Sequence, residues 1–110
     1  MTRAADPGEP STTTVRSGDT VTVVPRGDLD VATAGAFADV AVAALGALPL
    51  RSVVVDLSGV DFVDSTGLGS LVRLRTEARR RGARMTVVGA PERVQRVLRI
   101  TGLDRELGAR

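Results

Sequence analysis

The sequence contains no cysteine, histidine, lysine, tryptophan or tyrosine. Without cysteine there is no disulfide framework, no thiolate nucleophile and no zinc knuckle. Without histidine there is no imidazole base near neutral pH and no common transition-metal ligand. Without lysine there is neither a Schiff base nor a P-loop lysine. Carboxylate, hydroxyl, guanidinium and backbone remain, so no metal site and no cofactor is expected. Aromatic residues make up 2% of the 110 positions, and the core must be aliphatic, drawn from 17 Val, 14 Ala and 11 Leu. No apolar run reaches the roughly 18 residues of a membrane span. The opening segment also lacks the apolar core of a signal peptide. A cytoplasmic protein of one domain is the expectation, with no membrane partner.

The basic residues are 15 arginines, set against 13 Asp and Glu, for a net charge of +2. With little to titrate between carboxylate and guanidinium, this small excess drives the isoelectric point far up. That value does not imply a nucleic-acid partner, because the molecule is nearly balanced at neutral pH. The distribution is more informative: residues 1–70 hold 4 Arg and 9 acids, net −5, and residues 71–110 hold 11 Arg and 4 acids, net +7.

Residues 1–12 are poor in apolar side chains and read as a disordered lead-in, with one domain over 13–110. Thr13–Arg16 and Thr20–Val24 flank the Gly18-Asp19 turn and predict a hairpin that Pro25 ends. Asp30 is placed to cap a helix over 31–48, whose apolar face is Ala34, Phe37, Ala41, Ala44, Leu45 and Leu48, with Pro49 stopping it. The unbroken run from Val53 to Val55 within 52–57 predicts a central strand buried on both faces. Val60 and Phe62 read as apolar plugs. A long helix over 65–81 is expected to end with Arg79-Arg80-Arg81 at its negative end and Gly82 just beyond. A strand over 84–88 and a helix opening at Pro91 and closing at Gly102 complete the order β-β-α-β-α-β-α. The fold class is α/β, a mixed sheet of about four strands with helices packed against it.

The stretch Val60-Asp61-Phe62-Val63-Asp64-Ser65-Thr66-Gly67-Leu68-Gly69 stands apart. It sets hydroxyls on the first turn of a helix and follows them with two glycines, each costing about 1 kcal/mol in a helix interior. Either something approaches this helix start closely, or backbone packs tightly there. A helix start has free N–H groups and partial positive charge, so it accepts a phosphate on Ser65 without unfolding. Asp28, Asp30, Asp61 and Asp64 would make the added charge felt as a change of surface potential. A plain capped helix start, with Asp64 or Ser65 as the cap and both glycines as packing residues, is equally compatible with the spacing. Other motifs fail: G-x-S-x-G would need glycine where Val63 stands, and the third glycine of G-x-G-x-x-G is Val72.

Together with Gly27-Asp28-Leu29-Asp30, Val53–Ser58 and Thr101-Gly102-Leu103, this motif resembles the STAS-domain anti-sigma factor antagonists of bacteria. The likeness runs over about residues 13–104. It implies a STAS-like fold and a regulatory binding protein, not an enzyme. Such a protein binds an anti-sigma factor that is also a serine kinase and releases a sigma factor. It is switched off by phosphorylation and reset by a Ser/Thr phosphatase. The resemblance carries the phosphorylated serine to Ser65, with Thr66 the lesser candidate. It carries the partner-binding positions to Asp28, Asp30, Asp64, Thr66, Gly67, Leu68 and Gly69. The arginine stretch from Arg73 to Arg81 adds contacts or is a solvated face. Family members usually continue into a further strand and helix, which here are expected to be reduced or absent, exposing a sheet edge that invites a partner or a homodimer. The alternative is a STAS scaffold or accessory subunit, as in stressosome-type or lipid-transport complexes, with Ser65 incidental; the Asp-Ser pair argues against it. Nucleotide hydrolysis is the weakest reading, and no ATP or GTP turnover is expected.

Overall fold

The computed structural model describes residues 9–46 and 49–110. Along the chain these form β1 (Ser11–Ser17), β2 (Thr20–Arg26), α1 (Ala34–Leu45), β3 (Ser52–Asp56), α2 (Ser65–Arg80), β4 (Arg84–Val88), α3 (Glu92–Ile100) and the short α4 (Leu103–Glu106). The four strands lie in the order β1-β2-β3-β4. β1 and β2 are an antiparallel hairpin, while β2–β3 and β3–β4 are parallel. The sheet is therefore mixed and α/β, with α1 and α2 as the two crossovers.

Register explains the core. Val21, Val53 and Met85 stand abreast, as do Val23, Val55 and Val87. All six are buried on the face that receives Phe37, Ala41 and Leu45 of α1 and Leu68, Leu71 and Leu74 of α2. α1 packs on β1, β2 and α2, and α2 also packs on β4. Val94 and Leu98 of α3, with Leu107 after α4, enter the same core. Aliphatic residues fill it almost alone, and Ser70 is the buried polar residue among those described. Arg99 Nη2 on α3 donates to Glu92 Oε1 at 2.8 Å, and this bond holds the Glu92 carboxyl below its ordinary value.

Several boundaries differ from the sequence reading, each for a local reason. β1 starts at Ser11, not Thr13, because Ser11 and Thr12 pair with Arg26 and Pro25. Residues 1–8 of the expected lead-in lie outside the described residues. Pro25 does not end β2: the parallel ladder to β3 has already ended at Val23, so the missing N–H is not needed there. α1 begins at Ala34 with Thr33 as its N-cap, and Asp30 instead closes the preceding turn, its Oδ1 accepting from the Ala32 N–H at 3.0 Å. α1 ends at Leu45 rather than running on to residue 48, and Leu48 itself lies outside the described residues. There Arg16 of β1 donates to the carbonyls of Leu45 at 3.3 Å and Pro49 at 2.6 Å, tying strand to helix end. β3 is not buried on both faces: Val53 and Val55 are, but Ser52, Val54 and Asp56 are half-buried. Pro91 is the N-cap of α3, not its first residue.

Gly82 does follow α2 with φ of 72°, and its N–H donates to the Arg79 carbonyl at 2.9 Å. After α3 come the four-residue α4 and one isolated parallel bridge, Ala109 beside Val87. Val87 N–H donates to Gly108 O at 3.1 Å and Arg110 N–H to Val87 O at 2.9 Å, so the β4 edge is covered at that point. We expect Leu71→Ala, at a fully buried position, to cost about 2–5 kcal/mol in denaturant unfolding. Val15→Thr on the exposed face of β1 should stay within about 0.5 kcal/mol.

Candidate functional site

Beyond the carboxyl ends of β2 and β3 the two connections stay paired. Gly27 N–H donates to Gly59 O at 3.0 Å, Leu29 N–H to Phe62 O at 2.9 Å, and Asp64 N–H to Leu29 O at 3.1 Å. Leu29 and Val63 form a parallel bridge, and both side chains are buried. Apolar burial thus anchors the middle of each connection. The flanking acids follow from that anchoring: Asp28 and Asp30 stand on one side, Asp61 and Asp64 on the other. Asp28 and Asp61 are exposed, and Asp30 and Asp64 are half-buried. The Thr33 hydroxyl donates to Asp28 O at 2.6 Å and accepts from the Asp30 N–H at 3.0 Å, which stiffens the first connection.

Asp64 is the cap of α2. Its backbone is extended, and its Oδ1 accepts from the Gly67 N–H at 2.9 Å. Its Oδ2 accepts from the Val31 N–H at 3.3 Å, so one carboxylate joins the helix start to the other connection. The choice between Asp64 and Ser65 as cap is thereby decided. Ser65 is the first helical residue, exposed, at the positive end of a 16-residue helix. Thr66 is also exposed. Ser70, the third hydroxyl of this segment, is buried and donates to Gly67 O at 2.6 Å.

The two glycines serve different ends. A Cβ on Gly67 would stand 2.2 Å from Leu29 O and 2.9 Å from Leu29 Cβ, so the backbone of the paired connection occupies that space. A Cβ on Gly69 would meet nothing within 4 Å. Gly67 and Leu68 are buried against the paired connection and the core, whereas Gly69 is on the surface beside Ser65 and Thr66.

Two apolar residues complete this surface. Val31, whose N–H meets Asp64, is 79% exposed, and Phe62 is 50% exposed. Val60 is the plug that the sequence suggests, with 0% exposure, but Phe62 is not. Neither Val31 nor Phe62 is picked out by helical or strand periodicity. The usable signal is that Val31 directly follows Asp30, ahead of α1, and that Phe62 stands between Asp61 and Asp64.

The model of the STAS domain family matches residues 11–109. The chain belongs to the STAS domain family. This STAS domain is similar to the crystal structure of an anti-sigma factor antagonist from Mycobacterium paratuberculosis, at 27% identity over 96% of this chain and 89% of that one, with a TM-score of 0.76. It shares its fold with the anti-sigma factor antagonist SpoIIAA in its unphosphorylated form, at 18% identity, 91% and 88% coverage, and a TM-score of 0.75. It shares it also with part of the murine Solute Carrier 26 family member A9 anion transporter, at 20% identity, 83% coverage of this chain and 16% of that one, and a TM-score of 0.74. One fold thus occurs in regulators and in a transporter, and function has to be argued from the site. Among the described residues of this STAS domain, no helix is long and apolar enough to cross a membrane.

The glycine geometry gives a paired test by thermal unfolding. Gly67→Ala should destabilise the domain by about 1–3 kcal/mol through overpacking against Leu29. Gly69→Ala should stabilise it by about 0.5–1 kcal/mol, because it removes helix-interior glycine at no steric cost.

Proposed function

We propose that the chain is an anti-sigma factor antagonist whose surface at the start of α2 binds an anti-sigma factor serine kinase and so releases a sigma factor. Phosphorylation of Ser65 switches it off, and a Ser/Thr phosphatase resets it. The observation that carries this reading is the division of labour between neighbours: Asp64 makes the capping bond, which leaves the exposed Ser65 hydroxyl at the first helical position without that structural duty. The likeness to the mycobacterial antagonist supports it.

The surface has the parts that such a contact needs. Val31 and Phe62 offer exposed apolar surface whose burial against a partner is favourable. Gly69 leaves a bare stretch of helix that nothing inside the chain requires. Asp28, Asp30, Thr66 and the Asp64-held turn surround these residues, while Gly67 and Leu68 fix the helix start from below. In the kinase step, Ser65 Oγ bonds to the terminal phosphorus of ATP held by the kinase, the bond to ADP breaks, and the hydroxyl proton leaves to a base of the kinase. The new group brings about −1.5 to −2 charges. The helix dipole accommodates it locally, so the fold survives, but four carboxylates already crowd the surface. The complex loses affinity through electrostatics, not through unfolding.

Incubation with the anti-sigma factor kinase and ATP should add one phosphate to the intact mass. The gain should vanish in Ser65→Ala and persist in Thr66→Ala; a phosphate retained in Ser65→Ala would overturn the assignment. Ser65→Asp should weaken kinase binding by about tenfold or more. Its stability should change by no more than about 0.5 kcal/mol, since the residue is exposed and does not cap the helix.

A further inference from the structure

We propose that the outer edge of β1 is a self-association surface, where a second copy of this chain adds its own β1 antiparallel and continues the sheet. The β4 edge is covered where Gly108 and Arg110 bond to Val87. β1, by contrast, pairs with β2 alone among the described residues. Along its other edge the N–H and C=O groups of alternate residues point outward, a template for a further strand. Such edges are ordinarily guarded by a proline, a bulge or a charged side chain. β1 pairs with β2 residue for residue from Ser11 to Ser17, so it carries no bulge, and it contains no proline. Its one charge is Arg16, and that guanidinium is turned to the carbonyls of Gly18, Leu45 and Pro49.

The strand matches itself. Full overlap of two antiparallel copies sets Thr14, the midpoint of Ser11–Ser17, against the partner's Thr14. Thr13 then faces the partner's Val15, Thr12 the partner's Arg16 and Ser11 the partner's Ser17. No two like charges stand opposite one another within the strand, and its β-branched middle pairs with itself. Opposed residues lie on one face of a sheet. Val15, 61% exposed in the single chain, therefore meets the partner's Thr13 with the partner's Val15 diagonally beside it.

The helix beneath fits the same contact. α1 packs against both β1 and β2, and neighbouring strands are about 4.8 Å apart. With β1 set beside a second β1, the two α1 axes come about 10 Å apart, which is helix-packing distance. The flank of α1 turned to this edge is apolar: Ala36 and Val40, with Ser11 and Thr12, line a groove of about 320 Å³ between helix and strand. Val40 is 43% exposed. Asp39, the one charge of α1, is on the other flank, 3.7 Å from Arg73 of α2. A second α1 brings the same small side chains to this groove, so the apolar surface of Val15 and of Val40 leaves water in one step. The matched register and the helix spacing together select a second copy over an unrelated strand.

Sedimentation of the full chain across a concentration series should show a reversible monomer–dimer equilibrium in the micromolar to millimolar range, as a contact below standard interface size implies. Strand pairing and apolar burial drive it, so added salt should not dissociate the dimer. Thr14→Lys and Thr14→Glu, at an exposed position, should each weaken it by about tenfold or more, because each sets like charges opposite one another. Mixing these two variants should restore it. Val40→Glu should weaken it as well, whereas Ile100→Glu, exposed on α3, should leave it unchanged. The chain has no cysteine, so Thr14→Cys gives a second reading that asks little of the fold. Opposed strand residues stand at disulfide distance, and mild oxidation should link this variant into a dimer while Ile100→Cys stays monomeric. A chain monomeric throughout the series, a dimer indifferent to Thr14→Lys and Thr14→Glu, a mixture of the two that stays monomeric, or a Thr14→Cys variant that does not cross-link would overturn the proposal.

Discussion

One carboxylate organises the end of the molecule where α2 begins. Asp64 accepts a hydrogen bond from the helix it caps and a second from Val31 on the neighbouring connection. Through the first it sets where α2 begins. Through the second it fixes that beginning against the segment that follows β2. The exposure of Ser65, the burial of Gly67 against Leu29 and the outward position of Val31 all depend on this double acceptor. A charged acceptor with two oxygens can do this, whereas a serine hydroxyl in its place could serve only one of the two partners well.

Much of the architecture was legible from pattern. β-Branched runs gave the strands, 3.6-residue periodicity gave α1 and α2, and Gly82 marked the end of α2. The misreadings share a cause, since they occur where tertiary pairing overrides local preference. Pro25 stays in its strand because the ladder to β3 has already ended, while β1 still pairs there. The apolar run at Val53–Val55 resembles a doubly covered strand, yet Val54 is only half-buried. At the site, the sequence marked Asp64, Ser65 and the two glycines but could not separate their duties. Gly67 and Gly69 look alike as letters. They differ only because Leu29, 38 positions earlier, packs beneath one and not the other. Val31 and Phe62 were hidden for the same reason, as their exposure is a property of two connections meeting.

The charge asymmetry along the sequence becomes a spatial one. α2 runs from the acidic connections, at its positively polarised start, to a rim of arginines at its end. Each end of the helix dipole is thus met by side chains of the complementary sign. The two ends are about 24 Å apart, at 1.5 Å per residue. Chemistry at one end therefore leaves the other sterically free, and at physiological salt the charges of the two ends are largely screened from each other.

The Leu29–Val63 bridge joins residues on either side of the α1 crossover. It closes only when β2, α1 and β3 are all in place, because those elements bring the two connections together. The surface around Ser65 thus depends on a non-local contact, the kind whose loop-closure entropy must be met before it forms. Under the proposed function, a partner that reads this surface reads with it the pairing of the two connections, and a chain whose sheet has come apart no longer presents it.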